Sequence, residues 1–367
     1  MIDIFEVLKT AVEKNASDIH IVPQKPVMVR IYGKVIPLSG FEDKVLSSEE
    51  TQQLIYGILH PDQRKKFEEN LELDTSLQVK DISRFRVNVL MQKNGIGAVL
   101  RVIPSKIPEP EDLGFTPAMI ELTKLPRGLV LVTGPTGSGK STTLACMLEL
   151  INKEREEHIL TIEDPIEFVY ESKKCIITQR EVGMHTRSFA NALRAALRED
   201  PDIVLIGEMR DLETIQSALT IAETGHLVFA TLHTTDAPQT IDRIIDVFPP
   251  YQQQQIRMQL SVVLRGVICQ QLLPRMDGKG RVAAREIMIV TPAVSNLIRE
   301  GKTHQLYSAI ETGSKFGMIS LDRSLAELVK KGLISKDIAL MKANNPENLK
   351  RLLGAGPGFM PAGRSFK

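Results

Sequence analysis

Apolar residues first repeat at helical spacing over residues 2–15, where Ile4, Phe5, Leu8 and Val12 share one side. Residues 16–21 turn extended, and 27–32 and 35–36 flank Gly33 and Lys34 as the arms of a hairpin. Two short helices are predicted over 48–58 and 61–71, with Pro61 suited to a first turn. Segments 83–92 and 96–103 surround Asn94 and Gly95, a strong two-residue turn signal. A turn there sets Lys93 opposite Ile96. It gathers Phe85, Val87, Val89, Met91, Ala98, Leu100 and Val102 on one wholly apolar face. Arg84, Arg86, Asn88 and Arg101 fall on the other, with Asn88 opposite Arg101 and Arg86 diagonal to it. Taken alone, that polar face reads equally well as a solvated strand surface.

Residues 104–112 are rich in proline and charge, which breaks regular pairing and marks a linker. Beyond it the pattern alternates. Strands are predicted over 128–133, 158–162, 202–208 and 226–233, and helices over 140–152, 188–197 and 211–224, the last stopped by Gly225. Such alternation predicts a mainly parallel sheet with helices on both faces. Ligands of such sheets bind at the carboxyl ends of the strands, so Glu163, Glu208 and His233 should lie close together. From 292 the pattern is helical, over 292–299, 304–311, 321–331, 335–342 and 346–353. The expected organisation is an N-terminal α+β domain (1–103), the linker (104–112), a nucleotide-binding α/β domain (113–291), a helical region (292–353) and a flexible tail (354–367).

The loop between the first of these strands and its helix reads Gly134, Pro135, Thr136, Gly137, Ser138, Gly139, Lys140, Ser141, with Thr142 following. This is G-x-x-x-x-G-K-S between a buried strand and a helix, the context that a phosphate-binding loop requires. Backbone N–H groups and the helix N-terminus would hold the anion. Lys140 would reach the β- and γ-phosphates of ATP, and Ser141 would place its hydroxyl on Mg²⁺. Gly207 stands where a metal aspartate is usual, so Glu208 is read as the metal residue and Glu163 as the base that orients water. His226 and His233 bracket one strand, seven residues apart and so on opposite faces. That spacing argues against a metal pair, and leaves phosphate sensing or a subunit contact for one or both, beside the ordinary role of satisfied polar residues.

At 367 residues the chain should form two or three domains, and a net charge of +1 offers no global attraction to nucleic acid or an acidic membrane. Three cysteines far apart in sequence suit a reducing compartment and give no zinc pattern. The first residues mix charges with apolar positions, unlike a signal peptide, and no apolar run approaches the roughly 18 residues of a membrane span. A cytoplasmic protein is expected, seated at most on a membrane-bound partner.

Together these residues resemble the type II/IV secretion ATPase superfamily and, within it, the twitching-motility or type IV pilus retraction branch. The likeness is carried by A-S-D-I-H at 16–20, S-R-F-R-V-N at 83–88, the phosphate loop, T-I-E-D-P-I-E at 161–167, D-P-D-I-V-L-I-G-E-M-R-D at 200–211 and T-G-H-L-V-F-A-T-L-H at 224–233. It implies a PAS-like N-terminal domain, a RecA-like P-loop NTPase core and a homo-hexameric ring. It implies that Arg86 and Arg101, with Arg84 beside them, complete the nucleotide site. It also implies ATP and Mg²⁺ as cofactors, and pilus-machinery partners at the cytoplasmic face of the inner membrane, an integral platform protein among them. No nucleic acid partner and no membrane insertion are implied. Pilus-extension and type II secretion relatives usually carry a tetracysteine insert, which is absent here, and a nucleic-acid motor would want stacking aromatics in a basic groove. Residues 293–300, A-V-S-N-L-I-R-E, resemble the retraction motif AIRNLIRE and depart from it at Val294 and Ser295.

Overall fold

The structure is a computed structural model that describes residues 2–31, 33–80, 82–103 and 106–354. The part of the expected tail beyond Gly354, and linker residues 104 and 105, lie outside the described residues. The chain forms two compact units, Met1–Lys106 with Glu167–Val169, and Ile107–Ile166 with Tyr170–Lys367.

The first unit is built on a six-stranded antiparallel sheet of β1 (Asp18–Ile21), β2 (Met28–Ile31), β3 (Lys34–Pro37), β4 (Glu72–Val79), β5 (Ser83–Gln92) and β6 (Gly95–Ile103), in the order β3-β2-β1-β6-β5-β4. Helix Ile4–Glu13 starts on Asp3, whose carboxylate accepts the Phe5 N–H, and buries Ile4, Val7, Leu8 and Ala11. Helix Ser48–Gly57 begins with a capping box between Ser47 and Glu50. The apolar sides of these helices share one core with Phe85, Val87, Val89, Ala98 and Leu100 of the central hairpin.

The hairpin's register corrects the sequence expectation by two residues. Gln92 pairs with Gly95, Met91 with Ile96 and Arg86 with Arg101, so Asn88 faces Val99 and not Arg101. Gly95 takes φ +119° as the first residue of β6, and the two-residue turn is Lys93 and Asn94. A slip of two leaves the inward and outward faces unchanged. Arg84, Arg86 and Arg101 therefore keep the polar face.

The second unit holds a seven-stranded sheet of β7 (Gly128–Thr133), β8 (His158–Glu163), β9 (Ile176–Glu181), β10 (Ile203–Ile206), β11 (Leu227–Leu232), β12 (Leu264–Pro274) and β13 (Arg281–Ile289). Its order is β13-β12-β7-β11-β10-β8-β9, parallel except for the β12–β13 hairpin. The periodicity did not assign β9, β12 or β13 in advance. Asp211 caps helix Leu212–Glu223, Asp236 caps helix Ala237–Asp246 and Ser188 caps helix Phe189–Ala196. Helices Pro292–Arg299 and Leu306–Thr312 place Val294, Ile298, Leu306 and Ile310 in the main core of this unit, and a second cluster joins Leu273 and Ala284 to Leu321, Leu325 and Leu349. Ser295, at the departure from the retraction motif, is turned inward and donates to the Ser261 carbonyl at 2.6 Å. Among the described residues no helix is long and apolar enough to cross a membrane.

Candidate active site

β7, β10 and β11 are buried at every position, with Thr133 and Thr231 their only polar side chains, so the charged residues fall beyond their carboxyl ends. Gly134 opens the phosphate loop there with φ +142°. A Cβ on it would lie 2.3 Å from the Gln270 carbonyl, so only glycine fits between β7 and β12. The loop closes on helix Lys140–Glu154. Thr136, Gly137 and Ser141 are exposed at its mouth, and Thr142 is half-buried one position further along the helix. The buried Ser138 Oγ has no partner among the described residues, an orphaned hydroxyl that a phosphate oxygen would satisfy.

Lys140 folds back over the loop, its Nζ donating to Gly134 O at 2.9 Å and Pro135 O at 3.3 Å. Burial pulls its ammonium below the ordinary lysine range, and the charge of Glu208 works the other way. Glu208 lies just past β10 and is gripped by Arg210 at 2.7 Å and by His233 Nε2 at 3.0 Å. Burial disfavours its charge, but these two partners outweigh burial and hold the carboxyl below the usual glutamate range. Glu163 ends β8 and is buried, with Thr161 Oγ1 donating to it at 2.7 Å. At the expected metal position, a Cβ on Gly207 would stand 3.2 Å from Glu163 Cα and from Ile162 O, a close approach to the backbone of β8.

His226 does not join this group. It precedes β11 at the amino end of the strand, its Nδ1 3.0 Å from Ile221 O and 3.1 Å from Thr224 Oγ1, whereas His233 follows the carboxyl end. Within the first unit, Arg101 pairs with the buried Asp18 at 2.9 Å, Arg84 donates to Ser76 Oγ at 2.9 Å, and Arg86 is exposed. Sequence reasoning missed Arg210, although it sits inside a quoted motif, and missed Gln270 and Arg285 on β12 and β13. Gln270 donates to Ser138 O at 2.7 Å and accepts from Thr143 Oγ1 at 2.9 Å, bracing the phosphate loop from behind.

A parallel sheet with a glycine phosphate loop on its first strand, and with Glu208 and His233 held beside it, defines a P-loop ATPase. The family model described as type II/IV secretion system protein matches residues 1–328, and the chain belongs to that family. It is 56% identical over 348 residues to the type IV pilus retraction ATPase PilT of Pseudomonas aeruginosa, covering 94% of this chain and 99% of the relative. A twitching motility protein of Neisseria gonorrhoeae is 51% identical over 322 residues, 88% of this chain and 85% of the relative. The crystal structure of the pilus retraction motor PilT with bound ADP superposes with a TM-score of 0.90 at 48% identity, covering 96% of this chain and all of that one.

Proposed function

We propose that the chain is the ATPase motor of type IV pilus retraction, turning ATP hydrolysis into movements that take the pilus apart. The observation that carries the reading is the meeting of the phosphate loop, Glu208 and His233 at the carboxyl ends of neighbouring parallel strands. Its setting is a chain 56% identical to a retraction ATPase along nearly its whole length. In this reading the backbone of Gly134 through Ser141, with Thr142, cradles the phosphates, and Lys140 balances the charge on the β- and γ-phosphoryl groups. The Ser141 hydroxyl and the Glu208 carboxylate are hard oxygen donors of the kind Mg²⁺ takes, and the ion would draw charge from the phosphoryl oxygens when bound. Among the described residues no three His, Cys, Asp or Glu side chains could hold a metal by themselves, which suits an ion carried in with the nucleotide. Glu163 orients the attacking water and accepts its proton, its carboxylate kept still by burial and by Thr161. His233 holds Glu208 and senses the γ-phosphate through it.

The working form is a homo-hexameric ring at the cytoplasmic face of the inner membrane, acting on an integral platform protein of the pilus machinery. Arg86 and Arg101, with Arg84 beside them, bring cations to the transferring phosphoryl group of their own chain. Mixing inactive Lys140→Ala chains with inactive Arg86→Ala/Arg101→Ala chains tests this assignment. Mixed rings stay inactive if the arginines serve their own chain, and recovery of hydrolysis shows that they act across a subunit boundary. The function itself is tested by expressing the wild type and Lys140→Ala in cells that lack their retraction ATPase. The wild type should restore surface motility and lower the number of pili. Motility restored equally by Lys140→Ala would refute the reading.

A further inference from the structure

Arg285 is a buried cation that nothing in the nucleotide chemistry above uses. It is 7% exposed on β13, in register with Gln270 of β12. Its Nη1 donates to Gly114 O at 3.1 Å, its Nε approaches Gln270 Oε1 at 3.4 Å, and the guanidinium lies 5.9 Å from the centre of the Phe115 ring. No carboxylate pairs with it among the described residues, and burial lowers its pKa to about 10. A charge buried without a counter-charge disfavours folding, so its retention calls for a use other than stability.

Its two side-chain hydrogen bonds point in different directions. Gln270 leads to the phosphate loop, through Ser138 O, Thr143 and the close approach of its own carbonyl to Gly134. Gly114 leads to the segment by which the chain enters the second unit. That segment is fastened a second time, to helix Lys140–Glu154, where Lys153 holds both oxygens of Glu109 at 3.0 Å. A cavity of about 670 Å³ lies among Glu111, Gly114, Gly139, Thr142, Gln270 and Arg285, so the segment and the loop face each other across open space bridged by one guanidinium.

We infer that Arg285 is a positioning residue that couples the phosphate loop to residues 107–116, so that nucleotide on the loop orders this segment. The inference rests on the reading of the loop as the ATP site. By reciprocity, a segment held in place tightens nucleotide binding by the same factor. A planar fork can hold Gly114 and Gln270 together, whereas the ammonium of a lysine offers no such fixed geometry.

The test is amide hydrogen exchange on the full chain with and without saturating ATP, beside nucleotide affinity and thermal melting, for the wild type, Arg285→Met and Arg285→Lys. In the wild type, ATP should slow exchange in 134–141 and also in 107–116, the latter by about tenfold. Both variants should keep the slowing at 134–141 and lose it at 107–116, and Arg285→Met should melt no lower than the wild type. Slowing at 107–116 that survives in either folded variant overturns the inference. So does a failure of both variants to fold, which would make Arg285 a structural residue. A wild type in which ATP leaves 134–141 unprotected would instead defeat the nucleotide-site reading.

Discussion

The two sheets dispose of their polar residues under opposite rules. In the parallel sheet β7, β10 and β11 are buried throughout, so Lys140, Glu208 and His233 all fall beyond one edge. In the antiparallel sheet only one face is buried, and Arg84, Arg86 and Arg101 are spread along the other. A parallel sheet buried on both faces concentrates chemistry by topology alone. A half-solvated sheet leaves each polar residue to be judged by what it holds. Arg101 already holds Asp18, while its cross-strand partner Arg86 stands exposed.

That contrast is sharpest in the hairpin. Arg86→Ala and Arg101→Ala should each lower ATP turnover by roughly 10³-fold, the scale of an arginine supplied to a transferring phosphoryl group. Arg86→Ala should leave the melting temperature unchanged. Steady-state phosphate release and thermal melting of the same samples check both statements. If Arg86→Ala hydrolyses normally, its face is a solvated surface and the comparison fails.

At the carboxyl edge, two glutamates should fail in different ways. Glu163→Gln should bind ATP and Mg²⁺ almost normally and turn over about 100-fold more slowly, the range for loss of a general base. Glu208→Gln should be slow and also need more Mg²⁺. A Mg²⁺ titration of the two variants decides the matter, and a shift confined to Glu163→Gln would reverse the roles.

On the antiparallel strand of the same sheet, a buried acid carries a cost. Glu286 on β13 is 1% exposed, and burial pushes its carboxyl up to about 7, although it accepts the Ala237 N–H at 2.9 Å. With a folded value above the unfolded one, its favourable contribution is present at low pH and lost as pH rises from about 4.5 to about 7. Glu286→Gln should therefore gain on the wild type over that window, by on the order of 2 kcal/mol at neutral pH. Denaturant melts at pH 5 and pH 8 measure it, and equal differences at both would show that the group does not titrate there.

The smallest effect concerns Asp18, 6% exposed between Arg101 and Arg30. Burial raises its pKa, but hydrogen bonds and charge from Arg101, with Ser17, bring the carboxyl below its ordinary value. Its stabilisation is present above about pH 4 and disappears as acid protonates the folded form. Because Arg101 is largely exposed, Arg101→Ala should cost only about 1 kcal/mol at neutral pH, and the cost should vanish in strong acid. A cost that persists there would assign it to packing instead.

What was legible in the sequence follows from the range of each signal. The phosphate loop is read from eight consecutive residues, and Glu163, Glu208 and His233 from their places at strand ends, because both signals are local. The hairpin's faces were legible and its register was not. Registers that differ by two residues bury the same side chains, so the apolar pattern could not choose between them. Gln270 and Arg285 were hidden because each is a polar residue within an apolar strand, and their meaning lies in a pairing between β12 and β13. His226 was read beside His233 as sensing phosphate or meeting a subunit, and the direction of β11 puts it at the end away from the phosphate loop.

The central claim is that turnover takes place on the phosphate loop and depends on the cation at its end. Steady-state phosphate release from purified wild type and Lys140→Ala, at equal concentration and saturating Mg·ATP, tests it directly. The loop loses the cation that balances the β- and γ-phosphates, so Lys140→Ala should bind ATP weakly and release no phosphate above background. Phosphate release from Lys140→Ala at the wild-type rate would contradict the account.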